Sequence, residues 1–181
     1  MNTIILGNII ALFGSIVMVM IGFLKKKEQI IIAQCIQCGF IGLANLVLGG
    51  ISGFVTNCFT ILRNCISFKI EFTKKIKIIF ILIQFLLVIL LKRVQWINLL
   101  PVLSTSIFTW YMDCKDPIVF KIVVIVTLLM WLVYDLSVLN YVAVFFDTLT
   151  TITNTITLYK MKKGAALWNY EKIKLEKKGF Y

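Results

Sequence analysis

The chain has no histidine, two prolines among 181 residues, and eight acidic side chains against 19 lysines and arginines. Each shortage excludes something. Without histidine there is no ready general base and no imidazole ligand. The Cys35/Cys38 spacing suggests a metal pair but has no second pair to complete four ligands, so neither metal nor cofactor is expected. With a single carboxylate, Asp147, deep in an apolar run, the groups an intramembrane enzyme needs are missing, and no catalytic residue is expected. Charged residues make up only 15% of the chain and gather between apolar runs, which excludes intrinsic disorder and a soluble coiled coil.

Apolar residues are abundant. They form 60% of the chain, with a mean hydropathy of +0.96, against roughly 45–50% in soluble domains. The class is a polytopic, all-α membrane protein. Seven spans of about 20 residues use about 140 positions and leave no room for a soluble domain. The net charge of +11 does not point to nucleic acid, because the lysines sit in short loops and a tail beside the spans and act as orientation signals. The opening MNTIILGN has no basic n-region and no evident cleavage site, so the first apolar run is expected to stay as a span. Four of the five cysteines (35, 38, 58, 65) fall inside predicted spans and Cys114 at a span end, which argues against a disulfide scaffold.

Apolar runs predict transmembrane helices at roughly 3–23, 29–48, 51–68, 76–92, 95–113, 117–138 and 140–159. Gly49-Gly50 leaves only a turn between two of them, and Asp116 followed by Pro117 marks a helix start. Sixteen lysines (25–27, 69, 74, 75, 77, 115, 121 and the seven from Lys160 onward) fall on one side, and only Lys92 and Arg93 on the other. Basic loops stay cytoplasmic, so the N-terminus is expected outside and the C-terminus inside. The tail, 161–181, mixes six lysines with Trp168, Tyr170, Phe180 and Tyr181; it reads equally as a headgroup-bound segment on an anionic inner leaflet or as a solvated end.

An ungapped offset of 90 residues lays the first three spans on the last three. Few residues are identical, yet the polar positions coincide: Asn8 with Asn98, Ser15 with Thr105, Asn45 with Asp135, Asn57 with Asp147, Asn64 with Asn154 and Ser67 with Thr157. Three spans, one linker span and three more put both repeats in the same orientation, a plan in which solute is held at the midplane between halves. This divides the chain into a first repeat (1–69), a linker helix (70–93), a second repeat (94–160) and the basic tail (161–181). The linker is nearly all aliphatic and reads as lipid-facing, with Gln84 its one polar interior residue.

The seven-span 3+1+3 plan resembles the PQ-loop and SWEET superfamily of small transporters. More closely, NLLPVLSTSIFTW (98–110), NCFTILRN (57–64) and the chain length resemble the YgjV family of bacterial inner-membrane proteins, over nearly the whole chain. The superfamily resemblance implies transport. It also implies substrate contacts from a paired asparagine on the third and seventh helices and aromatic residues on the second and sixth, for which Asn57, Asp147 and Trp131 are the nearest matches.

A polar side chain at midspan must face protein or water. Two helical turns beyond Asn57 and Asp147 lie Asn64 and Asn154, about 10 Å closer to the cytoplasm and on the same face. They are substrate-binding candidates, with interhelical hydrogen bonding as their structural alternative. Asp147 is a coupling candidate by virtue of its charge. Arg63, near a helix end, is expected to snorkel to water, the alternatives being recognition of an anionic solute or pairing with Asp147. Asn45 and Asp135, near the outer ends, are expected to reach water rather than to form a gate. Pro101 is a hinge candidate whose repeat mate is Ala11, and the mate of Trp131 is Ile41; this asymmetry suits a cationic or riboside-like solute as well as a sugar. Trp96, Trp110 and Tyr111 fit an interfacial belt, and Gly7, Ala11 and Ser15 a close-packing stripe.

The expectation is a small-solute transporter working by alternating access, with the bilayer and the solute as partners. Seven spans suffice for a monomer, and the plan also accommodates higher assemblies. The competing expectation is a non-transporting accessory or assembly protein acting through its tail and lipid-facing surface.

Overall fold

The computed structural model describes residues 2–21, 23, 24, 26–67, 69, 70, 72–90 and 95–176, and of Lys27 and 165–176 the backbone alone. Regular structure among them is entirely helical: α1 (Thr3–Ile21), α2 (Lys27–Val47), α3 (Ile51–Ser67), α4 (Lys74–Leu90), α5 (Trp96–Tyr111), α6 (Pro117–Ser137) and α7 (Tyr141–Glu176). Helices α1 and α6 and the Glu28–Val47 stretch of α2 are long and apolar enough to cross a membrane. The predicted runs correspond to these elements, with one correction. Helix α7 does not stop near 159 but continues to Glu176, so no helix end separates the second repeat from the tail. Lys25, Lys92, Arg93, Lys177 and Lys178, used above to orient the chain, lie outside the described residues.

The helices order themselves by turning polar faces inward. Among the described residues, polar and charged side chains make up most of the buried set, while the outer faces carry Ile, Leu, Val and Phe. This inverts the soluble pattern and suits hydrocarbon as solvent. Helix α1 packs on α2, α2 on α3, α3 on α5, α5 on α6, α6 on α7, and α7 on α1 again; six helices thus close a ring. Helix α4 lies outside the ring against α5 and α3. One of its stripes, Lys77, Gln84 and Val88, is buried, and Ile78, Ile79, Leu82, Leu86 and Ile89 face outward.

Small residues set the tightest approach. Gly7, Ala11, Gly14 and Ser15 form the buried stripe of α1. A Cβ on Gly7 would stand 2.5 Å from Leu48 Cγ, so this stripe lets α1 and α2 touch nearly backbone to side chain.

The turns α2–α3 and α6–α7 match at the same offset of 90 residues. The Leu48, Gly49 and Gly50 amides donate to the carbonyls of Ala44, Leu46 and Asn45; the Val138, Leu139 and Asn140 amides donate to those of Tyr134, Leu136 and Asp135. Gly49 has φ +82° and Leu139 φ +61°. Glycine accommodates that left-handed geometry without strain, whereas leucine does not. Asp116 caps α6 as expected, accepting from the amides of Ile118 (2.8 Å) and Val119 (3.3 Å) with Pro117 in the first turn.

Candidate functional site

Inside the ring lie two adjoining cavities. The first, about 200 Å³, is lined by residues that include Asn57 and Thr60 of α3, Trp131 and Asp135 of α6, and Asp147 of α7. The second, about 160 Å³, shares Gln37, Cys38, Thr60 and Trp131 with the first and adds Arg63, Asn64 and Phe108. A third, about 730 Å³, takes over Gln34, Arg63, Asn64 and Phe108 and reaches Asp113 and Lys115 in the α5–α6 connection. Shared walls thus chain the three from mid-ring to the end of the bundle that carries the α3–α4 and α5–α6 connections.

The lining follows the offset of 90 residues. Ser15 and Thr105, Met18 and Phe108, Gln37 and Thr127, Cys38 and Leu128, Ile41 and Trp131, and Asn57 and Asp147 are offset-90 mates, and every member lines one of the first two cavities. Asn57 donates one of its two amide N–H groups to the Gly53 carbonyl at 2.9 Å. The Asp147 carboxylate has no hydrogen-bond partner among the described residues, and neither has the Gln37 amide or the Trp131 indole. Polar groups this deep without internal partners are available to a ligand or to water. Trp131 meets Tyr134 edge-on, ring centroids 5.8 Å apart.

The opposite end of the ring is closed. The Tyr134 hydroxyl, wholly buried, accepts from the Gly53 amide (2.8 Å) and donates its own proton to Ser52 Oγ (3.1 Å), whose hydrogen goes to Asn98. Gly53 is in the first turn of α3, so the tyrosine satisfies an amide that the helix itself cannot. In the other half Asn140 does this job, accepting from the Ala143 amide at 3.3 Å. The repeat mate of Asn140 is Gly50, which has no side chain to cap with, and Tyr134 reaches across from α6 instead. Asn140 also donates to Asn45 Oδ1 (3.1 Å) and Asp135 (3.3 Å). Asn8 of α1 bonds the Leu139 carbonyl and the Val142 amide, both at 2.9 Å, and Asn98 of α5 accepts from Ser52 at 3.1 Å. Residues 52 and 142 are themselves offset-90 mates, so each half grips the other with the same asparagine.

Several expectations change. Asn45 and Asp135 are buried, at 0% and 2% exposure, and knit the closed end together instead of reaching water. Arg63 does not snorkel: it is 5% exposed, because Thr109 (3.2 Å) and Asn64 (3.1 and 3.3 Å) on the inner faces accept its N–H groups and Phe108 covers one face of the guanidinium. Nor does it pair with Asp147. Asn154 lines none of the three cavities; its Oδ1 accepts from Lys121 of α6 at 2.7 Å, and its amide returns to the Thr150 carbonyl. Asn64 lines two of them. Pro101 is buried in an uninterrupted α5 and lines none. Gln37, Cys38, Thr60 and Tyr134 were not singled out as site residues, and only Gln37 and Thr60, polar residues in apolar runs, gave a signal that could have found them.

At the open end Lys77, 4% exposed, donates to the Trp110 carbonyl (3.0 Å) and pairs with Asp113. That hydrogen bond holds the Asp113 carboxyl below the usual carboxylate range.

A ring of helices, apolar outside, with a buried polar path down its middle defines a polytopic membrane protein. The chain matches a family model, the Imp-YgjV bacterial inner membrane proteins, over residues 5–165, and belongs to that family. No curated protein and no solved structure matches it.

Proposed function

We propose that the protein is a seven-span carrier, not an enzyme, that moves a small solute across the bacterial inner membrane. Access would alternate as the two three-helix halves, joined by α4, rock about the central cavities. The carrying observation is that offset-90 mates from both halves line a polar path open at one end and shut at the other. The matched turns and the reciprocal Asn8 and Asn98 contacts support a parallel 3+1+3 repeat and a place in the PQ-loop and SWEET-like superfamily. Under the basic-loop rule the open end, with Lys69, Lys74, Lys75 and Lys115, faces the cytoplasm and the N-terminus lies outside. The conformation described is then inward-open.

Asn57, Asp147 and Trp131 form the central contact set, and a sugar-like, riboside or cationic solute suits their chemistry. Entrance counterflow in proteoliposomes tests this, with wild type compared with Asp147→Ala across a panel of such solutes. Saturable exchange lost in the variant is the expected result. No exchange of any panel solute by folded, oriented wild type would favour the non-transporting accessory reading.

A further inference from the structure

Among the described residues, Arg63 is a cation with no carboxylate paired to it. Its Nε and Nη2 donate to Asn64 Oδ1 and its Nη1 to Thr109 Oγ1, and its carbon centre lies 5.1 Å from the Phe108 ring centroid; all these partners are neutral. Of the five guanidinium N–H groups three are used, which leaves one on each Nη. Asp113 is engaged by Lys77, and Asp135 and Asp147 line the first cavity, beyond the Trp131 wall that it shares with the second. A charge taken out of water needs an opposite charge, and a planar fork with an N–H free on both tips matches the two oxygens of an oxyanion.

The surroundings agree. Gln34, Ser104, Thr105 and Thr127 line the same cavity with hydroxyl and amide groups, and Lys115 stands on the wall of the third cavity, which leads to it. A volume of about 160 Å³ admits a group of several heavy atoms.

We propose that Arg63 binds the carboxylate or phosphate group of a small organic solute in the cavity between α2, α3, α5 and α6, with the rest of the solute extending toward Trp131. This rests on the reading of the cavities as the solute's path.

The test is titration of full-length protein in nanodiscs with acetate and, separately, inorganic phosphate at constant ionic strength in chloride, followed by tryptophan fluorescence. Wild type should saturate with at least one of them, and the preferred one separates a carboxylate from a phosphate solute. Arg63→Gln should bind at least about tenfold more weakly, the loss of one charge-assisted hydrogen bond, and Arg63→Lys should recover part of the affinity. Asn64→Asp keeps the arginine but supplies its counter-charge, so it should abolish binding even if Arg63→Gln proves unstable. Equal saturation in Asn64→Asp or in folded Arg63→Gln, or no saturable response of wild type to either anion, overturns the proposal. Wild-type counterflow of an uncharged sugar by Arg63→Gln would overturn it while leaving transport intact. Anion binding without counterflow of any solute would support it and remove the transport reading.

Discussion

Replacing Tyr134 by phenylalanine tests the closed end of the ring with one atom removed. The hydroxyl makes two hydrogen bonds, accepting from the Gly53 amide at 2.8 Å and donating to Ser52 Oγ at 3.1 Å, in a site with no exposure. Ser52 has a second partner in Asn98 and loses little. The Gly53 amide has none, because a first-turn N–H lies beyond the reach of its own helix. The cost is therefore that of one orphaned buried donor, about 1–3 kcal/mol. Reversible unfolding in mixed micelles, read by helical circular dichroism, measures it, and adding Ser52→Ala to Tyr134→Phe should add less than about 0.5 kcal/mol beyond the serine's own effect. Gly53→Ala should destabilise as well, since its Cβ would stand 2.6 Å from Tyr134 Cε1 and 2.7 Å from Asn45 Nδ2. Gly39→Ala, with nothing within 4 Å, is the control and should be neutral or slightly stabilising. A Tyr134→Phe protein within about 0.5 kcal/mol of wild type would refute the view that this hydroxyl caps α3 and holds the end shut.

Asp113 has a depressed carboxyl pKa because Lys77 donates to it, so its stabilisation is present above the unfolded carboxylate range and is lost as pH falls through the folded value. Wild type should accordingly lose stability on acidification through and below the ordinary carboxylate range, and Asp113→Asn should show a flatter profile there, from a lower starting point; superimposable profiles would remove the pair from the account. Leu139→Gly relieves a left-handed residue and should stabilise by up to about 1 kcal/mol, measured by the same unfolding assay. Asp147→Asn, if the carboxylate couples a proton to the solute, should retain transport and lose its pH dependence; an unchanged pH profile in counterflow sinks the coupling.

Much of this architecture was legible because hydropathy acts locally along the chain. An apolar run of sufficient length becomes a helix whatever its neighbours are, so the helices of the described residues, the Asp116 cap and the exposed apolar side of α4 could be read directly. The polar positions that recur at one offset of 90 residues pointed to Asn57 and Asp147, the resemblance to a transporter superfamily pointed to Trp131, and all three line one cavity. What the tertiary structure decided was rotation and partner choice. Arg63 could have reached water from its position near a helix end, but α5 presents Thr109 and Phe108 to it, and the guanidinium turned inward. Asn154 has the spacing of a cavity residue, yet Lys121 on the neighbouring helix takes its oxygen. Tyr134 lay unremarked in an aliphatic run because its role depends on Gly50, which stands 90 residues before Asn140, having no side chain to cap α3. One-dimensional spacing specifies which face a residue shares; which group stands opposite that face depends on helices joined through distant parts of the chain, and hydrogen-bond geometry selects among them only once they are packed.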